Sequence, residues 1–357
     1  MNGRKTILVA LLAVATLVAA GQPAYGSPIK WLTVQLGTHR FGHLRAPDAV
    51  VARGGADAVG FECGKPSACS AQAPTPSDSC GCIDVLPQGP TSFDIGRDGS
   101  VWVFDGVKHR LVAWRSGRIA RTVTLPRDVG DSDFVLGREG TVYVFGGNVP
   151  HRPYLTMYAL TSSGRVRWKA ATTVASSQAR LALAGDGSVY SVGPSATPTW
   201  TPLTTPAGRP LTLATQRRRS SRLQPLARGL RVLTTQVSSH EVHFALVDGH
   251  HTVVRAWRVT SRTSLGLTRL VPALVGDDLV VAVEVSQQVG KAFRMEDVVL
   301  RLTSSGGTRV RFSLDARAVW DPDGTTARTT LRVAADGRLY QLRTSPTTGV
   351  SVARYSL

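Results

Sequence analysis

Short apolar runs with polar residues alternating between them recur from residue 92 onward, and glycine-bearing turns separate them. One turn type reads GRDGSVWVF (96–104), GREGTVYVF (137–145), AGDGSVYSV (184–192), ARGLRVLT (227–234), GDDLVVAV (276–283) and AADGRLYQL (334–342). Alternation with period two is the signature of a half-buried strand, and Asp-Gly between two such runs is a strong hairpin signal, here read as a type I′ turn. From Gly99 the turns step to Gly140, Gly187, Gly229, Asp278 and Gly337, at intervals of 41, 47, 42, 49 and 59. A second turn recurs out of phase with the first: RSGR (115–118), SSGR (162–165), PAGR (206–209), VDGH (247–250) and SSGG (304–307).

Two turn types in fixed alternation define a repeat of four strands, A to D, in about 45 residues. Helical periodicity is nearly absent. This is the pattern of a β-propeller blade, and it predicts an all-β propeller of six four-stranded blades. Seven is the alternative if 44–61 forms a degenerate blade. The last repeat has strands at 329–334, 338–343 and 349–357 and lacks a fourth. An N-terminal latch, placed at Ile29–Leu36, is expected to supply it and remove a free edge.

Blade one carries a family likeness. Gly89-Pro90-Thr91-Ser92-Phe93-Asp94, then Asp98-Gly99-Ser100-Val101-Trp102-Val103-Phe104-Asp105, then His109-Arg110-Leu111-Val112-Ala113-Trp114 resembles an NHL repeat over residues 89–118. Lys108 stands where the repeat has asparagine, and only the turns persist beyond blade two. The resemblance implies the propeller fold; NHL-like propellers in general can bind RNA through a basic face.

The N-terminus changes the picture of location. Arg4 and Lys5, the apolar run Ile7–Ala20 and the small residues after it have the order of a signal peptide, assigned to 1–26. Residues 27–357 then form one exported propeller domain, secreted or held at the cell envelope, with no membrane span and as a monomer. Cys63, Cys69, Cys80 and Cys82 fall within an insertion at about 38–89. An even count in an exported chain reads as disulfides, paired 63–80 with 69–82 or 63–82 with 69–80. Zinc is the rival, although the C-x5-C-x10-C-x-C spacing is not the usual pair of clusters.

Charge supplies the functional expectation. There are 42 Lys+Arg against 24 Asp+Glu, a net charge of +18. An exported basic protein is drawn to anionic partners such as a cell-wall polymer, a glycan or an acidic protein; nucleic acid is not the expected partner, because an exported protein has little access to RNA. B–C and D–A connections share one propeller face, where the unusual loops collect. Arg217, Arg218, Arg219 and Arg222, in the connection between blades three and four, are the first candidate anion ligands, because the guanidinium fork suits carboxylates and phosphates. His109, His151 and His240 are placed in B–C connections, as is Glu296, and Arg110, also a candidate ligand, in the stretch that opens strand C; His250 and His251 are placed on the other face. Asp94, Asp105 and Asp133 sit near strand ends, where they cap turns or meet arginine.

No nucleophile elbow, zinc-protease motif, P-loop or EF-hand loop is present, so no catalytic residue, metal ligand or cofactor is assigned. The competing reading is a metal-dependent hydrolase or lyase with a cation, calcium being the candidate, at the central channel.

Overall fold

The computed structural model describes residues 29–55, 57–60, 89–129, 132–148, 154–175, 179–193, 198–268, 270–290, 292–319 and 328–357. Two strands, Trp31–Gln35 (β1) and Ala49–Gly54 (β2), precede six sheets arranged as propeller blades. Blade one is Ser92–Ile95 (β3), Val101–Asp105 (β4), Arg110–Arg115 (β5) and Arg118–Thr124 (β6). Blade two is Phe134–Leu136 (β7), Val142–Asn148 (β8), Leu155–Leu160 (β9) and Val166–Ala171 (β10). Blade three has Arg180–Leu183 (β11), Val189–Val192 (β12) and Trp200–Pro202 (β13), followed by the helix Leu213–Arg219 (α1). Blade four is Leu223–Pro225 (β14), Arg231–Ser238 (β15), Glu241–Val247 (β16) and Val253–Thr260 (β17). Blade five splits its inner strand into Ser264–Leu267 (β18) and Ala273–Val275 (β19), both paired to Asp278–Val289 (β20). Ala292–Leu302 (β21) and Thr308–Asp315 (β22) complete it. Blade six is Leu331–Val333 (β23), Leu339–Ser345 (β24) and Gly349–Tyr355 (β25).

The alternating apolar positions face neighbouring blades. Phe104, Leu111 and Val123 of blade one meet Phe134, Val142 and Leu160 of blade two in one cluster. Trp257 and Phe244 of blade four meet Val281 and Leu300 of blade five in another. Trp114 joins blade one to Val352 and Leu342 of blade six. The core is thus a ring of inter-blade clusters, as expected when each sheet buries both faces against its neighbours.

The turns fall where the pattern places them, but not all are type I′. At Asp98-Gly99, Gly99 N–H donates to Gly96 O (2.9 Å), Gly96 N–H donates to Ser100 O (2.7 Å), and only the glycine has positive φ, +77°. That is a type I turn closed by a left-handed glycine. Glu139-Gly140 and Arg228-Gly229 put both residues in the left-handed region, the type I′ requirement. Asp98 avoids it because its carboxylate accepts from Ser100 N–H (3.1 Å) and Ser100 Oγ (2.6 Å), which fixes the Asx turn.

The latch is a different segment from the one expected. β2 pairs antiparallel with β25 and completes blade six. β1 instead adds to blade four as a fifth strand, parallel to β17, with Trp31 opposite Ala256 and Gln35 opposite Thr260. Between them the chain crosses blade five, where Arg45 N–H donates to Ser313 O (2.9 Å) and Leu44 bridges Ser313. Residues 31–54 therefore strap three consecutive blades. The alternation in Ile29–Leu36 correctly signals an outer strand; the distance to its partner lies in tertiary topology. Residues 49–54 belong to blade six, so the 44–61 segment forms no seventh blade.

Blade three departs from four regular strands. Thr204 bridges Pro210 and Trp200 bridges Ser221, so four steps along one strand match eleven along its partner. The seven extra residues equal the length of α1, which interrupts the outer strand.

Candidate functional site

α1 turns the expected Arg-rich loop into a fixed platform. Thr212 caps it, accepting from Thr215 N–H at 3.3 Å. Gln216, the buried residue of the helix, donates through Nε2 to Leu211 O (2.9 Å) and Ala171 O (3.3 Å) and accepts from Thr173 N–H (2.9 Å). These contacts tie the helix to the end of β10 and the connection leaving blade two. Arg217, Arg218 and Arg219 occupy its last turn, where cations complement the helix dipole. Arg217 donates to Tyr154 Oη (2.7 Å) and lies over its ring. Arg217, Arg218, Arg219 and Arg222 are all exposed. Among the described residues, no carboxylate lies within ion-pair distance of any of the four.

The remaining candidates are dispersed. His109 has positive φ and contacts Val129 O through Nδ1 (3.0 Å). Arg110 donates from Nε to the buried Asp105 (2.9 Å) and from Nη2 to Ala58 O (2.9 Å). Asp105 also accepts from Gly60 N–H (3.0 Å), so this pair staples the chain leaving the latch to blade one. His240 contacts Thr263 O through Nδ1 (3.4 Å) within its own sector. No described contact joins these residues to one another. His151 and the four cysteines lie outside the described residues. Glu296 is not in a B–C connection: it lies within β21 and pairs with His39. The strand continues well beyond Glu296 toward the B–C turn, because β20 and β21 extend far past their neighbours. His251 has φ +63° and closes the C–D turn of blade four in place of a glycine.

The central channel is a second feature. A cavity of about 990 Å³ is lined by all six inner strands, among them Asp94, Leu136, Leu183, Gln224, Leu274 and Arg332. It reaches the A–B turns, the opposite face from α1. At its wall Asp94 Oδ1 pairs with Arg332 Nε (3.0 Å), while Oδ2 accepts from Leu136 N–H of blade two (2.7 Å). Burial holds the Asp94 carboxyl above its usual range, against the pull of Arg332. Asp133 repeats the device one blade on, accepting from Leu181 N–H (2.7 Å) and Thr329 Oγ1 (3.0 Å). These buried aspartates clip neighbouring inner strands together. The sequence showed their positions near strand ends; their cross-blade partners have no local signal. Among the described residues no group of three or more His, Cys, Asp or Glu side chains is placed to hold a metal.

No family model matches the chain, and no curated protein matches it. Solved propellers do. A protein of unknown function from Bacteroides caccae is 14% identical, with a TM-score of 0.41, covering 65% of this chain and 84% of its own. Virginiamycin B lyase from Staphylococcus aureus is 13% identical, with a TM-score of 0.38, covering 75% of this chain and 84% of its own. The PQQ-bound aldose sugar dehydrogenase of Streptomyces coelicolor is 10% identical, with a TM-score of 0.39, covering 74% and 94%. Likeness at this level carries no activity over to this chain.

Proposed function

We propose that this protein is an exported binding propeller that holds an anionic partner on the face bearing α1. The observation that carries the reading is the set of four exposed arginines, Arg217, Arg218 and Arg219 on a helix anchored by Gln216 and Arg222 just beyond its end, without a carboxylate partner among the described residues. Anchoring matters, because a helix already ordered loses less entropy when it binds than a mobile loop does. Guanidinium groups left unpaired at a surface are available for bidentate contact with carboxylate, sulfate or phosphate. A net charge of +18 draws such partners in from a distance. The signal peptide and the disulfides of Cys63, Cys69, Cys80 and Cys82 belong to the same reading. So does the likeness of residues 89–118 to an NHL repeat.

The test is retention of the mature protein on immobilised heparin and on polyphosphate at graded salt. Binding should weaken steeply with salt. Replacing all four arginines by alanine should weaken it by about tenfold or more, each lost charge contact being worth roughly 0.5–1 kcal/mol. Salt-independent binding, or an undiminished variant, would sink the reading.

A further inference from the structure

Among the described residues, blade five alone carries a long projecting ribbon. β20 and β21 run for 12 and 11 residues and stay paired to Val289 opposite Ala292, with Gly290 at φ +62° in the turn. The inner strand β18 accompanies β20 only as far as Ser286, and the outer strand β22 accompanies β21 only from Glu296 onward. The tip therefore stands free on both edges. Three residues at about 3.3 Å each put Val289 about 10 Å beyond Ser286.

The tip is apolar and basic. Val289 is 45% exposed and Phe293 is 48% exposed, in a ribbon where every described residue from 287 to 294 is exposed. Register puts Gln288 opposite Phe293 and Gln287 opposite Arg294, so the two apolar side chains project from opposite faces of the ribbon. A groove against one partner would need both on one face. A medium that surrounds the tip accepts both. Arg294 is exposed on the ribbon, Arg262 is exposed beside a 440 Å³ cleft that also contains Gln287 and Phe293, and Arg317 reaches Met295. Residues 285–295, 260–268 and 36–44 contain no Asp or Glu. Glu296, next along, is buried against His39.

We propose that this hairpin tip docks the protein on an anionic phospholipid surface, with Val289 and Phe293 entering the acyl boundary and Arg262, Arg294 and Arg317 meeting headgroup phosphates. The tip is independent of α1, so the inference stands or falls apart from the reading above.

The experiment is co-sedimentation of the mature protein with phosphatidylglycerol–phosphatidylcholine vesicles and with phosphatidylcholine vesicles alone. Phe293→Trp serves as a fluorescent reporter. Expected are binding to the anionic vesicles only, a blue shift of the tip tryptophan, and at least tenfold weaker binding for Val289→Ser/Phe293→Ser. Both sites are solvent-exposed, and an unchanged melting temperature confirms that the double variant folds. The α1 arginine variant should still bind vesicles. No vesicle binding, a double variant that binds as well as the parent, or an unshifted reporter would each overturn the proposal. Loss of vesicle binding in the α1 variant alone would do so too. Retention on heparin with no vesicle binding would defeat this proposal and leave the anion-binding face intact.

Discussion

Glu296 on β21 holds His39 of the N-terminal strap at 2.7 Å, with both side chains more than nine-tenths buried. The second carboxylate oxygen accepts from Gly42 N–H at 2.6 Å. One side chain thus fixes both ends of the turn that carries the strap across blade five. Glu296→Ala leaves a buried imidazole and a backbone N–H without their partner. We expect a loss of about 2–4 kcal/mol in denaturant unfolding, with Glu296→Gln, which retains one acceptor, falling between. Equal stability of the alanine variant would show that the strap is held elsewhere.

Closure of the ring makes a second prediction. Gly349 opens β25 at φ +81°, and a Cβ there would run into the backbone of Gly54 and Gly55 at the end of the latch. Gly349→Ala meets both a left-handed backbone and a fixed neighbour, so the latch end must separate from blade six. Destabilisation of about 2–4 kcal/mol is expected. Gly290→Ala, also left-handed but with nothing within 4 Å, should cost only the conformational part, about 1 kcal/mol. Similar losses for the two would argue against the latch contact.

The blades were legible in the sequence because their determinants are local. Turn residues at 98–99, 186–187 and 336–337 and alternation beside them suffice to set hairpins, and the structure builds hairpins there. What closes the ring was not legible. Nothing near Trp31 encodes that its partner is Ala256, and nothing near Ala52 encodes Val352. Strand counting put the arginines in the connection between blades three and four, whereas Arg217, Arg218 and Arg219 lie on a helix that interrupts the outer strand of blade three. A seven-residue excursion from an outer strand lacks the length for a periodic signal. The Asp94–Arg332 pair joins blades one and six, 238 positions apart in sequence, and only ring closure brings them together.

Tyrosine ionisation offers a third check. Burial and the hydrogen bond to Asp128 push Tyr158 up to about 12; burial and the hydrogen bond to Asp336 do the same for Tyr340. Burial raises Tyr143, Tyr190 and Tyr355 as well. A folded value above the unfolded one, 10.0, means that these groups lend stability below pH 10 that is lost as pH climbs through each folded value, about 12 for Tyr158 and Tyr340. Absorbance at alkaline pH should show these tyrosines ionising only as the protein unfolds. Tyr158→Phe should lessen the alkaline loss of stability. Five tyrosines titrating freely near pH 10 in the folded protein would refute this.

Asp94 gives the last prediction, because two causes oppose each other there. Burial favours the neutral acid, and Arg332 at 3.0 Å favours the carboxylate. Burial wins, so the folded value lies above the ordinary 3.8. The folded state then holds the proton more tightly than the unfolded chain does. The resulting stabilisation is complete below pH 3.8 and is lost as pH rises through the folded value. Asp94→Asn cannot titrate. Its stability relative to the parent should therefore improve as pH rises from just below 4 toward neutrality. The constant offset between them reflects the exchange of a carboxyl for an amide beside Arg332 and Leu136 N–H; the pH slope alone reports the titration. Urea unfolding of both proteins across that range measures it. Parallel curves would mean that Asp94 has an ordinary acidity. A slope of opposite sign would mean that Arg332 outweighs burial and that the channel wall carries a true ion pair.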